Sequence, residues 1–155
     1  MKALTEFNKS RKLFYLKKIP IYFQKVAAQH NCHQALWLFG PDHEITEAGS
    51  MNIFVIFKKD NNRLELVTPP LNSGLILPGV TRRSVIEITQ ELNEFDVTER
   101  KVTIKEVLDR AHDGTLVEMF GTGTAAIVNP VGNILYDGVM NSIPVPDAEK
   151  SFAQR

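Results

Sequence analysis

The sequence predicts an α+β domain, a mixed sheet or barrel with flanking helices, and three observations predict it. Asn52-Ile-Phe-Val-Ile-Phe57 is a dense run of β-branched and aromatic residues of strand length. Thr103 and Glu106 stand at capping-box spacing ahead of a helical stretch. Leu116-Val-Glu-Met-Phe120 is an apolar, strand-like lead into Gly121-Thr-Gly-Thr124.

The totals bound what such a domain can be. At 155 residues with 43% hydrophobic and 23% charged residues, the chain has the size and composition of one globular domain. Eighteen basic and eighteen acidic side chains cancel, so net charge argues for neither nucleic acid nor an anionic membrane. The balance is uneven, since seven Lys or Arg up to Lys25 face Glu6 alone and make a locally basic start. Cys32 is the one cysteine, which excludes an intrachain disulfide and a cysteine-based zinc site. No run reaches the roughly eighteen apolar residues of a membrane span.

Taken in order, residues 1–18 mix basic and bulky side chains without a cap, ahead of Pro20, and read as a short helix or an arm. Ile21 to Asn31 has the spacing of a short helix, and Ala35-Leu-Trp-Leu-Phe39 reads as a strand ending at Gly40-Pro41. Asp42 to Gly49 reads as a polar segment. Residues 52–68 read as a β-hairpin across Lys59-Asp-Asn-Asn62, with one partly solvated face on Arg63-Leu-Glu-Leu-Val-Thr68. After Pro69-Pro70 an apolar loop leads to Pro78-Gly79, and a helix follows from about Thr81 to Leu92 with Val85, Ile88 and Leu92 on one stripe. Its N-terminus offers free N–H groups and the positive end of a dipole. Val97 to Thr103 reads as a short strand, Ile104 to Ala111 as a helix closed by Asp113-Gly114, and Asn133 to Gly138 as a strand ending in a turn. The division expected is a basic arm over 1–18, a domain over 19–140 and a tail over 141–155, with no repeat and no second domain.

Gly121-Thr-Gly-Thr124 has the composition of an anion-binding turn. Its glycines permit backbone angles that let successive N–H groups share a concavity, and Thr122 and Thr124 add hydroxyls. It lacks the lysine of a P-loop and the spacing of a dinucleotide fingerprint. A tight glycine turn between two strands is the structural alternative.

Several strings in order carry a resemblance. Trp37-Leu-Phe-Gly, Asp42-His-Glu-Ile-Thr-Glu-Ala-Gly-Ser-Met-Asn52, Thr68-Pro-Pro-Leu, Ile76-Leu-Pro-Gly-Val-Thr-Arg82 and Glu118-Met-Phe-Gly-Thr-Gly-Thr-Ala125 resemble the branched-chain amino acid aminotransferases, over about residues 32–140. The resemblance implies part of the larger, C-terminal domain of a fold-type IV enzyme with pyridoxal 5'-phosphate as cofactor. It implies transamination of leucine, isoleucine and valine with 2-oxoglutarate, a homodimer, a cytoplasmic or mitochondrial location, and neither nucleic acid nor membrane as partner.

Roles carry over by motif. Glu47 resembles the carboxylate that faces the pyridine nitrogen, where an anion keeps that nitrogen protonated. Val80 and Thr81 resemble the residues whose amides bind the cofactor phosphate, and Thr124 the threonine that adds its hydroxyl. Ala125 resembles the residue whose amide helps hold the substrate carboxylate, and Ser50 occupies a hydroxyl position near the substrate. The lysine that the family bonds to its cofactor lies upstream, and counting back from Cys32 reaches Lys12. Its neighbours Leu13-Phe-Tyr-Leu16 lack the glycines and tyrosine of the family pattern. That departure supports an alternative reading, a catalytically impaired fragment that keeps the fold and pairs with a fuller relative.

Overall fold

The computed structural model describes residues 18–124 and 128–154. Its central strand is β3 (Met51–Lys58), whose residues 52 to 57 are all buried. Alternate side chains of a strand point to opposite faces. Ile53, Val55 and Phe57 therefore enter one apolar cluster and Phe54 and Ile56 another. An unbroken apolar run is the sequence consequence of burial on both faces.

Six further strands surround β3 in one sheet. β1 (Leu36–Phe39) pairs antiparallel with β2 (Glu44–Ala48), and β2 with the start of β3 through Glu47↔Asn52 and Ala48↔Met51. β4 (Leu64–Thr68) pairs with the far half of β3, from Val55↔Val67 to Lys58↔Leu64. β6 (Leu116–Thr122) runs along the opposite edge, from Asn52↔Thr122 to Phe57↔Leu116. β5 (Phe95–Glu99) lies parallel to β4, and β7 (Val128–Pro130) pairs with β6. β8 (Asn133–Tyr136) and β9 (Val139–Ser142) form a separate hairpin.

Among the described residues, three α-helices complete the fold. α1 (Lys18–Gln29) meets the sheet where the Phe23 and Trp37 rings stand edge to face at 5.6 Å. α2 (Val80–Leu92) makes the crossover between the parallel strands β4 and β5 and covers the Phe54 face with Val85 and Ile86. α3 (Ile104–Asp113) covers the other face with Ile104 and Val107. The sheet thus lies between two helical layers, and α2 fixes which face the candidate site occupies.

Local signals that need no distant partner match the sequence reading. The Thr103 hydroxyl accepts from the Glu106 amide at 3.1 Å, and Gly114 ends α3 at φ 78°. The differences have tertiary causes. Asp42 to Gly49 contains strand β2, because Glu44-Ile-Thr-Glu-Ala finds pairing partners on both sides. β4 has no solvated face at its end, where Leu66, Val67 and Thr68 are buried. α2 is rotated from its expected stripe: Ile88 and Leu92 are 54% and 53% exposed, while Arg82, Val85, Ile86 and Thr89 turn inward. Arg82 can face inward because its guanidinium donates to the Pro69 carbonyl at 3.0 Å and pairs with Glu99. Residues 1–17, including the expected arm, lie outside the described residues.

Candidate functional site

The site is built at the end of β3 where β2, β6 and the start of α2 meet. Residues directly opposite in antiparallel strands share a face. The pairs Glu47↔Asn52 and Asn52↔Thr122 therefore set three polar side chains in one row across β2, β3 and β6. The row continues the Phe54–Phe120 pair, so it lies on the face that α2 covers.

Glu47 is held by two donors. Its Oε1 accepts from the Leu77 amide at 3.0 Å and from Asn52 Nδ2 at 3.2 Å. Partial burial pushes its carboxyl above the usual range, and the Leu77 amide opposes that rise. Asn52 Nδ2 also donates to the Leu77 carbonyl at 2.9 Å, so the loop before α2 is tied to both strands.

α2 begins beside this row. Gly79, its N-cap, has an extended backbone and no side-chain cap, which leaves the first-turn N–H groups open to a ligand. Val80, the first helical residue, is 83% exposed, and Thr81 is half-buried. A Cβ on Gly79 would stand 2.2 Å from Asn52 Oδ1, so glycine is what lets the helix start approach the strand.

At the other end of the row, Thr122 is 1% exposed and its hydroxyl has no hydrogen-bond partner. A buried hydroxyl left unpaired is costly, and such groups point to a ligand or water that completes them. Thr124, two residues on, is exposed.

The glycines of Gly121-Thr-Gly-Thr124 act differently from the expected anion turn. Gly121 and Thr122 lie inside β6, and neither Gly121 nor Gly123 has a positive φ. Both make room for Met51, whose side chain would lie 3.2 Å from a Cβ on Gly121 and 3.1 Å from one on Gly123. The polar side chains this segment offers are thus threonine hydroxyls at a strand end.

The remaining predicted residues are placed as follows. Ser50 is exposed in the turn between β2 and β3, with its carbonyl 3.7 Å from a Cβ built on Gly123. That turn is fixed by the Trp37 indole, which donates to the Gly49 carbonyl at 2.8 Å, and by Gly49 itself at φ 58°. Ala125 and Lys12 lie outside the described residues. Glu47, Ser50, Val80, Thr81 and Thr124 are accordingly gathered at one end of β3. Asn52 belongs to the same row without having been singled out, and Thr122, noted in the sequence for its hydroxyl, joins it. A polar residue heading the buried run 52–57 was the signal for the first.

Two hollows lie near these elements, the first sharing the start of α2 with the site. One of about 570 Å³ flanks α2 and is lined by Leu71, Pro78, Val80, Arg82 and Glu99, with neither Glu47 nor Thr122 in its wall. The other, of about 420 Å³, lies by His43, Lys105 and Tyr136. Among the described residues no group of three or more His, Cys, Asp or Glu could hold a metal ion. Among them, too, no helix is long and apolar enough to cross a membrane.

The arrangement offers groups suited to an anion and to a protonated nitrogen. Amides at a helix start and threonine hydroxyls suit the anion, and a partly buried carboxylate suits the nitrogen.

Comparison with known proteins places the chain in a family. Residues 10–134 match the model of the family described as amino-transferase class IV. The cytosolic branched-chain-amino-acid aminotransferase of Caenorhabditis elegans is 51% identical over 116 residues, 75% of this chain and 28% of that protein. The mitochondrial enzyme of Mus musculus is 51% identical over 121 residues, 78% of this chain and 30% of that protein. A solved branched-chain amino acid aminotransferase from Escherichia coli superposes with a TM-score of 0.60 at 28% identity, over 79% of this chain and 36% of that one. The chain therefore spans less than a third of the length of these two curated relatives.

Proposed function

The chain belongs to the class IV aminotransferases, and on that premise we propose that it transaminates branched-chain L-amino acids with 2-oxoglutarate, using pyridoxal 5'-phosphate. The carrying observation is the row itself, a partly buried carboxylate on β2 tied through Asn52 to an open helix start. The residues fit this cofactor, because the partnerless Thr122 hydroxyl and the uncapped α2 amides match a phosphate and Glu47 matches a pyridinium.

When bound, the cofactor supplies an electron sink for the substrate's α-carbon. This chain's residues then have separable tasks. Val80 and Thr81 donate backbone N–H groups to phosphate, reinforced by the dipole of a thirteen-residue helix. Thr124 adds its hydroxyl. Glu47 accepts the ring nitrogen's proton bond, and the cation brought beside it reverses the upward pressure that burial puts on its carboxyl. Ala125 helps hold the substrate carboxylate by its amide, and Ser50 sets a hydroxyl near the substrate. Lys12 is the candidate for the lysine that bonds the cofactor and moves the α-proton. A homodimer, and a cytosolic or mitochondrial location like those in the relatives' names, belong to the same reading. The alternative of a non-catalytic remnant draws on the neighbours of Lys12, which lack the family's glycines and tyrosine.

The test is glutamate formation from 2-oxoglutarate with leucine, isoleucine, valine or D-alanine as donor, followed by borohydride reduction and peptide mapping. Turnover with the three branched-chain donors, none with D-alanine, and label on Lys12 are expected. Absence of turnover, or preference for D-alanine, overturns the assignment of activity.

A further inference from the structure

Asn52 is a polar side chain at the head of a buried apolar run, and it is 5% exposed. A buried amide is tolerated only where its hydrogen bonds are made. Nδ2 faces two acceptors, the Glu47 carboxylate at 3.2 Å and the Leu77 carbonyl at 2.9 Å. Two acceptors on one side settle which end of the amide is nitrogen. The Leu77 amide donates back to the same carboxylate oxygen at 3.0 Å and closes a ring of three residues. On the opposite side of the amide, Gly79 comes so near that only a residue without Cβ fits against Oδ1.

One side chain therefore touches both parts of the cradle: the carboxylate on β2 and the last residues before α2. We propose that Asn52 is a positioning residue that fixes the separation between the carboxylate end and the phosphate end of the cofactor site. This inference rests on the cofactor reading above.

Asn52 transmits position without reacting. The Leu77 carbonyl it holds lies two residues before the N-cap Gly79, so loss of that bond frees the helix start to drift from β3. Loss of its bond to Glu47 leaves the carboxylate with the Leu77 amide alone, on a loop no longer tied to the strand. Both ends of the ligand site loosen from a single change, and affinity falls even though no group touching the ligand has been altered.

Asn52→Asp separates this role from simple packing. The titratable or charged groups around position 52 are Glu47 from β2 and Arg82 from α2, the latter engaged by the Pro69 carbonyl and Glu99; β6 presents Thr122. Above the carboxylate range, an aspartate here sets a second anion against Glu47 and a third acceptor against the Leu77 carbonyl. Protonated, a state that burial and the facing Glu47 carboxylate favour by pH 5, it restores one of the two hydrogen bonds that the amide donates.

The measurement is the affinity of wild type, Asn52→Asp and Asn52→Ala for pyridoxal 5'-phosphate at pH 8 and pH 5, with circular dichroism to establish folding. At pH 8 both variants bind about tenfold more weakly, the loss of roughly one well-placed hydrogen bond. At pH 5 Asn52→Asp recovers to within about threefold of wild type, and Asn52→Ala does not. Asn52→Ala binding as wild type does, or Asn52→Asp staying level with Asn52→Ala at both pH values, overturns the positioning role. Wild type that takes up no pyridoxal 5'-phosphate overturns the cofactor reading instead, and this inference with it. If either variant fails to fold, nuclear magnetic resonance on wild type decides: inorganic phosphate shifts the Asn52 side-chain amide and the Glu47 carboxyl together, and phosphate binding that moves neither refutes the link.

Discussion

Glu47 carries the most informative chemistry of any single residue, because its carboxylate is partly removed from water and its described partners are an amide and a carboxamide rather than a cation. Its folded pKa lies above the unfolded value, so folding takes up a proton. The stability it contributes is present in full below the unfolded pKa and is lost as pH rises through the folded one. Glu47→Gln keeps an acceptor for Leu77 and Asn52 while removing the titration. The variant without ligand should melt higher than wild type at pH 8, with the gap closing near pH 3.5; a gap independent of pH contradicts the burial account. Thr122 tests the other end of the row. Thr122→Val replaces a partnerless buried hydroxyl by a methyl of the same shape, so stability should be unchanged or raised by about 1 kcal/mol. Affinity for pyridoxal 5'-phosphate should nonetheless fall about tenfold, the loss of one hydrogen bond to an anion. A variant that loses stability and keeps its affinity would show that the hydroxyl serves the fold.

At the scale of elements, α3 is the piece whose ends are written locally. Thr103→Ala removes the hydroxyl that accepts from Glu106 and should lower unfolding free energy by about 1 kcal/mol, read from the urea midpoint. Such caps were legible in the sequence because donor and acceptor lie three residues apart. The pairing of β3 with β4 was legible for a similar reason, since Lys59-Asp-Asn-Asn62 and the runs around it are contiguous. β2 was not, because Glu44-Ile-Thr-Glu-Ala becomes a strand only between two others. The inward face of α2 was hidden by Arg82, whose burial depends on a carbonyl thirteen residues earlier. β9 was missed although Asp137 and Gly138 carry a hairpin signal, and both have positive φ, at 47° and 78°. For the proposed site, Glu47, Val80, Thr81 and Thr124 were named through motif resemblance. Asn52, and the alignment of Thr122 with it, needed the register, because a row across three strands has no spacing in sequence.

For the whole molecule, β3 joins the two helical layers, and the site stands where its polar end escapes the apolar core. The same logic ties down the chain's last described residues. Glu118 on β6 is 1% exposed and accepts from the Ser151 hydroxyl at 2.6 Å and from the Phe152 and Ala153 amides at 3.0 and 3.4 Å. Glu118→Ala should cost about 3 kcal/mol, comparable to breaking charged hydrogen bonds in a buried setting, and should speed amide exchange at 152 and 153. Unaltered exchange there would show that apolar contacts alone anchor the segment. The central claim is that one row holds a cofactor by a phosphate and a ring nitrogen at once. The most direct measurement is parallel titration of the chain with pyridoxal 5'-phosphate and with pyridoxal, which lacks the phosphate, in wild type and in Glu47→Gln. The account predicts that pyridoxal binds at least about a hundredfold more weakly than its phosphate, as loss of a charge-assisted anion site requires, and that Glu47→Gln weakens both ligands alike. Equal affinity for the two ligands, or indifference of both to Glu47→Gln, would contradict it.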